Sequence, residues 1–213
     1  RREQFAPLLF TASHIEPCYR YRGKADDESD HDYGQRMANA LETEILRLGA
    51  DKVMAFLAEP VVGATLGAVA AEVGYFTRIR QICDHYGVLL ILDEVMCGMG
   101  RTGSLFACDH DQVRPDIIAI AKGLGAGYQP VGAMLCSKNI YEAIATGSGF
   151  FQHGHTYLAH PVACAAAHGV LSKIIETSLP SRATVMGNKL IQSLQSTFGQ
   201  HPFIGDIRGR GLF

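Results

Sequence analysis

Apolar positions recur along this chain with two alternating periods. From Tyr33 to Leu48, Met37, Leu41, Ile45 and Leu48 fall on one face near the 3.6-residue period, predicting a helix that Gly49 stops. The acidic stretch Lys24–Asp32 reads as a solvated loop feeding carboxylates into that helix's first turn. Val53–Ala58 then reads as a buried strand, with Glu59-Pro60 at its carboxyl end. A second helix is expected over Ala70–Tyr86, turning Phe76, Ile79, Ile82 and Cys83 inward and closed by Gly87. Fully apolar strands follow at Val88–Leu92 and Ile117–Ile120, then a short one at Val131–Cys136 and a helix at Lys138–Thr146. Beyond a loop from Gly147 to Gly154, Pro161 suits the first turn of a helix reaching Thr177. Pro180 is expected to break it, with another helix at Ser181–Thr197. Phe203–Ile207 and the chain from Gly211 onward read as strands of a second, smaller domain. Arg1–Gly23, with Pro7 and Pro17, reads as loop and extended chain. Strand and helix alternate, so the fold class is α/β with a mostly parallel sheet.

Composition narrows what such a fold does. With 213 residues of which 47% are hydrophobic, a sizeable core is affordable. Lys+Arg 19 against Asp+Glu 21 gives a net charge of −2 without a basic run, which argues against nucleic acid or an anionic membrane as partner. Arg208-Gly209-Arg210-Gly211 reads as a turn entering a strand rather than an RNA-binding tail. Cys18, Cys83, Cys97, Cys108, Cys136 and Cys164 stand singly, which fits a reducing, cytoplasmic setting better than a disulfide framework. The apolar region Phe56–Tyr75 is broken by Glu59, Pro60, Glu72 and glycines, so it does not read as a membrane span. The sequence starts Arg1-Arg2 and stops at Phe213 within an expected strand, and is expected to be a piece of a longer protein.

Candidate chemistry concentrates between Val88 and Lys122. One apolar strand ends in Asp93; a glycine-rich turn and a second strand lead to Lys122, 29 positions later by subtraction of the two residue numbers. Open α/β sheets place their chemistry at the carboxyl ends of parallel strands, so both residues are expected to open onto one crevice. A lone carboxylate on an apolar strand is costly without a partner. A lysine reached only through Ile117–Ala121 is expected to have its ammonium disfavoured by desolvation, freeing the amine for attack on an aldehyde. This pairing suits pyridoxal phosphate, whose aldehyde forms an imine with lysine and whose ring nitrogen is held protonated by a carboxylate.

The same residues carry a resemblance. Leu92-Asp93-Glu94-Val95, Gly98-Met99-Gly100-Arg101-Thr102-Gly103, Ala121-Lys122-Gly123-Leu124, His155-Thr156-Tyr157 and Ala159-His160-Pro161 resemble, in order and spacing, the class-III aminotransferases, a branch of the fold-type-I pyridoxal-phosphate enzymes. That resemblance covers nearly the whole chain. It implies residues 1–160 as part of a cofactor-binding large domain, and 161–213 as a connecting helix with the start of a small α/β domain. It implies Lys122 as imine lysine and proton shuttle, Asp93 as ring-nitrogen partner and Val95 as a residue packed on the ring. It implies Thr156 at the cofactor phosphate of a partner subunit, hence a homodimer with shared sites, and Glu59 on the substrate side. Met96 stands where many relatives have a hydrogen-bonding Gln; an apolar residue there looks more like the branch pairing ω-amino acids or amines with pyruvate. The reaction implied is a ping-pong transfer from an amine donor to a keto acid acceptor. The family's main phosphate loop, ring-stacking aromatic and carboxylate-binding arginine fall outside this sequence.

Other readings compete. A decarboxylating or amine-shifting enzyme uses the same Asp and Lys, although Gly100-Arg101-Thr102-Gly103 favours aminotransferases over the aminomutase branch. A truncated, catalytically silent chain serving only as a dimer partner is a second alternative. His153-Gly154-His155, with His160 nearby, could ligate zinc in a hydrolase, but a further ligand at metal spacing is not evident, so no metal is expected. Gly98–Gly103 lacks the spacing of a nucleotide loop and reads as a tight turn with Arg101 fastened locally. Gly123–Gly127 is a poor dinucleotide fingerprint, because Pro130 and a strand follow it.

Overall fold

The computed structural model describes residues 2–213. Two short helical turns, α1 (Arg2–Phe5) and α2 (Arg20–Gly23), precede the long helix α3 (Asp30–Leu48). Helix α3 starts at Asp30 because Ser29 Oγ accepts the Asp32 N–H at 3.1 Å, while Asp30 and Asp32 complement the helix dipole. It ends at Gly49, whose φ of 93° a side chain would oppose. Its inward face is Tyr33, Gly34, Ala38, Leu41 and Ile45; Met37 and Leu48 are only half-buried. Gly34 lets the helix approach the next loop, since a Cβ there would lie 2.5 Å from the Val73 carbonyl oxygen.

Strand β1 (Ala55–Ala58) is followed by a small hairpin of β2 (Val61–Val62) and β3 (Val69–Ala70), paired antiparallel. That hairpin corrects the expected helix start at Ala70. Helix α4 spans Tyr75–Tyr86, because Ala70 is in the hairpin and Gly74 turns left-handed at φ 86° to serve as N-cap. Strand β4 (Leu89–Asp93), strand β5 (Ile117–Ile120) and strand β6 (Ala133–Cys136) complete a sheet of order β1-β4-β5-β6. β1, β4 and β5 are parallel, but β6 runs antiparallel to β5. The β5–β6 link folds as a 3-10 turn (Lys122–Leu124) and further turns rather than the crossover helix that parallel strands require.

Helices α3 and α4 cover one face of the sheet, with Leu90, Leu92, Ile79 and Phe76 at the centre of the main core. Leu90→Ala is expected to lower stability by about 2–5 kcal/mol, the range for emptying a fully buried leucine site. Urea unfolding followed by circular dichroism reads this directly, and a loss below about 1 kcal/mol would contradict that core assignment.

Helix α5 (Lys138–Thr146) buries none of its residues, and the loop from 147 to 160 is exposed throughout. Helix α6 (Pro161–Glu176) and helix α7 (Leu179–Phe198) follow. Two helices are present as expected, but the break falls at Thr177–Ser178 and Pro180 lies in the first turn of α7, where its missing N–H is not needed. Ile174 of α6 joins Met99, Ile120 and Leu124 in a second core beside β5. The strands expected at Phe203–Ile207 and from Gly211 are absent from the described residues, which run there as turns and irregular chain. Arg208 instead donates to the carbonyls of Leu66 and Gly67, both at 2.8 Å, tying this segment to the hairpin loop. The whole chain exposes 13950 Å². A compact monomer of this length exposes roughly 9,700 Å². Exposed apolar side chains contribute to the excess in the amino-terminal segment, with Leu8 and Phe10, and in β6, α5, the 147–160 loop and the outer face of α6, with Met134, Leu135, Tyr141, Phe150, Phe151, Tyr157, Leu158 and Val162.

Candidate active site

The register of the parallel strands assembles the site. Ala58 of β1 lies level with Leu92 of β4, and Asp93 lies level with Ala119 of β5. Glu59, Asp93 and Lys122 therefore sit at or just beyond the carboxyl ends of three adjacent parallel strands. Asp93 is half-buried; its Oδ1 accepts the Val95 N–H at 3.0 Å, and no lysine or arginine pairs with it among the described residues. A strand-end carboxylate satisfied on one oxygen, with no cation of its own, fits a protonated ring nitrogen.

Lys122 is exposed, which corrects the expectation that apolar neighbours desolvate it. Strand β5 takes the apolar run only as far as Ile120; Ala121 caps the next turn, and Lys122 opens that turn two residues past the sheet. Its φ of 43° is left-handed, a conformation that costs a non-glycine residue and collects at functional sites. It is held by the turn it opens: Gly125 and Ala126 donate to the Lys122 carbonyl at 3.2 and 3.0 Å. Gly123 is required by packing, since a Cβ would approach that of Met99 to 2.8 Å. A cavity of about 1090 Å³ opens beside Lys122, walled by Met99–Arg101, Gly123, Ala126–Tyr128 and the facing sides of α6 and α7. Asp93 is not part of its lining, so the shared crevice is one of strand ends rather than one enclosed cavity. Three further cations, Arg101, Lys173 and Arg182, line it without any acidic residue. Sequence reasoning missed the last two because they come from helices far along the chain.

Val95 and Met96, both half-buried, continue the turn after Asp93. Met96 lies against Gly63, where a Cβ would come within 2.6 Å of its Sδ. Glu59 Oε2 accepts the Gly63 N–H at 2.9 Å, so Gly63 brings Glu59 and Met96 together beside Asp93. Cys97 Sγ points at the Asp93 carbonyl (3.8 Å); burial pushes its thiol up to about 12, leaving it protonated and inert. The turn Gly98–Gly103 is tight, as expected, but the Arg101 side chain is exposed and makes no hydrogen bond or ion pair among the described residues; only its backbone is fastened, by Leu212 N–H at 2.9 Å.

Thr156 lies in the exposed 147–160 loop and does not line the cavity. His153 and His155 stack edge to face at 5.2 Å in the same loop. No group of three or more His, Cys, Asp or Glu able to hold a metal occurs among the described residues, so the zinc reading rests on that pair alone. Sequence reasoning also passed over Glu94, which is fully buried. Its signal was a carboxylate set among Leu92, Val95 and Cys97 in an otherwise apolar run.

Comparison with known proteins is consistent across the chain. The family model described as aminotransferase class-III matches residues 2–213. An aminotransferase of Gibberella zeae is 44% identical over 100% of this chain and 42% of its own length. A thermostable (S)-enantioselective omega-transaminase from Thermomicrobium roseum superposes with a TM-score of 0.91 at 37% identity, over 100% of this chain and 47% of that one. The omega transaminase from Pseudomonas jessenii, solved in complex with PMP, gives 0.87 at 38%, over 93% and 44%. The chain thus spans less than half the length of these relatives.

Proposed function

This chain belongs to the class-III aminotransferase family, and from that premise we propose that the whole protein is a pyridoxal-phosphate-dependent aminotransferase. It moves an amino group from an ω-amino acid or amine donor to a keto acid such as pyruvate in a ping-pong cycle. The observation that carries this is the strand register, which puts Asp93, a carboxylate with no ion-pair partner among the described residues, level with Ala119, three residues before Lys122. Bound pyridoxal phosphate supplies an aldehyde for amine capture and a ring that withdraws electrons from the substrate carbon. The protein's part is binding and proton handling. Asp93 would hold a proton at the ring nitrogen of the bound group, and Lys122 Nζ would act as the base that takes up and gives back the proton at the substrate carbon. Val95 would pack on the ring, and Met96 with Glu59 would shape the substrate side.

The proposal includes a homodimer, with Thr156 reaching the cofactor phosphate of the second subunit. Its support is the exposed apolar surface of β6, α5 and the 147–160 loop. A reducing, cytoplasmic setting is also proposed, on the strength of four free thiols in the core: Cys18, Cys83, Cys97 and Cys108.

The test is an assay of the whole protein with cofactor, ω-amino acid or arylalkyl-amine donors, and pyruvate or 2-oxoglutarate. Alanine formation matched by loss of donor is expected, while this 213-residue chain alone should bind cofactor weakly and turn over nothing. Release of carbon dioxide, or an amine shifted within one molecule, would replace the proposal by the decarboxylating or aminomutase alternative. Absence of any amino transfer would leave the silent-partner reading.

A further inference from the structure

Glu94 follows Asp93 directly, and strand alternation sends the two carboxylates to opposite sides. Along β4 and its extension, Leu90, Leu92 and Glu94 are buried while Ile91 and Asp93 are half-buried. Glu94 is 0% exposed. Its Oε2 accepts the Ala107 N–H at 2.6 Å and its Oε1 the Cys108 N–H at 2.8 Å. Both donors open the 3-10 turn Ala107–Asp111. Its backbone is equally engaged: the N–H donates to the Ala119 carbonyl at 2.9 Å, and the carbonyl accepts from Gly98 N–H at 2.9 Å. Gly98 has no room for a side chain, since a Cβ would fall 2.8 Å from that carbonyl and 3.0 Å from Oε2.

A buried carboxylate is expensive, and no lysine or arginine pairs with Glu94 among the described residues. Burial raises its pKa, and the two amide donors oppose that rise. An apolar side chain would fill the same space at lower cost, but it would leave two buried N–H groups unpaired and the turn untied. Ala119, held by the Glu94 N–H, is the residue level with Asp93 and three before Lys122. Glu94 therefore joins the end of β4, the end of β5 and the 107–108 turn at one point.

We propose that Glu94 is a positioning residue: by tying the 107–108 turn to the β4–β5 strand ends, it sets the relative placement of the Asp93 carboxylate and the Lys122 amine. It touches neither cofactor nor substrate and acts through Asp93. This rests on the aminotransferase reading above.

Two variants of the whole, cofactor-loaded protein approach the contact from opposite sides. Glu94→Gln keeps the shape but sets an NH₂ group against one amide N–H. Ala107→Pro removes one donor and leaves Glu94 intact; Phe106, at φ −113° and ψ 142°, already has the extended backbone that a following proline needs. Four quantities are read: thermal midpoint, cofactor retention on dialysis, the pH midpoint of the bound cofactor's visible absorbance, and kcat with KM. Both variants are expected to move the absorbance midpoint by about half a pH unit or more, and to lower kcat by up to ~10²-fold, the scale of a 1 Å misplacement, with little change in KM for the amine donor. Lower thermal midpoints with wild-type absorbance midpoint and kcat would overturn the proposal and leave Glu94 a structural residue. Should Glu94→Gln fail to fold, Glu94→Asp, which keeps the charge but shortens the reach, is read beside Ala107→Pro by the same criteria. Borohydride reduction of the wild-type protein keeps the two readings apart. Without cofactor labelling at Lys122 the functional reading fails; with labelling and unmoved variants, only the role of Glu94 fails.

Discussion

Lys122→Ala is expected to lower aminotransferase turnover of the whole protein by at least ~10²–10⁴-fold, the share a positioned general acid–base group supplies. On the proposed role of Lys122, two jobs would be lost together: covalent capture of the cofactor and the proton transfer at the substrate carbon. The fold should survive. Lys122 is exposed and makes no ion pair among the described residues, and its left-handed φ of 43° is one that alanine adopts no more reluctantly than lysine. Borohydride reduction followed by peptide mass spectrometry gives an independent reading. In the wild-type protein the cofactor should be fixed at Lys122; in the alanine variant that label should vanish, leaving only scattered surface lysines. A variant retaining more than about a tenth of wild-type turnover would sink the assignment, since that is far above the residual expected without the proton shuttle.

Asp93→Asn is expected to cost about 10- to 150-fold in turnover, the rate equivalent of losing a charged hydrogen-bond partner worth about 1.5–3 kcal/mol. Asparagine is nearly isosteric, and its Oδ1 can still accept the Val95 N–H that Asp93 accepts at 3.0 Å. The end of β4 should therefore keep its geometry while the site loses its charge. An amide cannot hold a proton on the ring nitrogen, so the ring becomes a weaker electron sink. Circular dichroism should be unchanged while the visible spectrum and kcat shift. Wild-type kcat in a folded, cofactor-saturated Asp93→Asn protein would show that the carboxylate does not face the ring nitrogen.

These expectations draw on local and non-local information in different measure. Helix α3 was legible because Leu41 and Ile45 repeat at helical spacing between an acidic first turn and Gly49, features that act within a few residues. Strands β4 and β5 were legible because a strand buried within a parallel sheet is a run of apolar residues with no need to alternate. The start of α4 was not legible. Val69 and Ala70 are compatible with either structure, and pairing with Val61 and Val62 decided it. The 203–207 segment looked like a strand on side-chain preference, yet no partner strand meets it among the described residues, and β-propensity without a partner is weak.

At the site, the pair Asp93 and Lys122 could be picked out from sequence because each breaks an apolar strand at its carboxyl end, and the family resemblance supplied their roles. The exposure of Lys122, the meeting of Glu59 and Met96 around Gly63, and the cations on α6 and α7 were beyond reach of the sequence. Each depends on which elements lie side by side, which periodicity does not encode. By itself, then, the sequence determined the α/β alternation, the apolar strands and the carboxylate and lysine that end them, because these rest on short-range pattern and residue chemistry. Tertiary structure alone decided the antiparallel turn of β6, the level register of Asp93 with Ala119, and the burial of Glu94 against two amide donors. Those depend on hydrogen bonds between residues distant in the chain, whose partners are chosen only when the sheet and its covering layers close together.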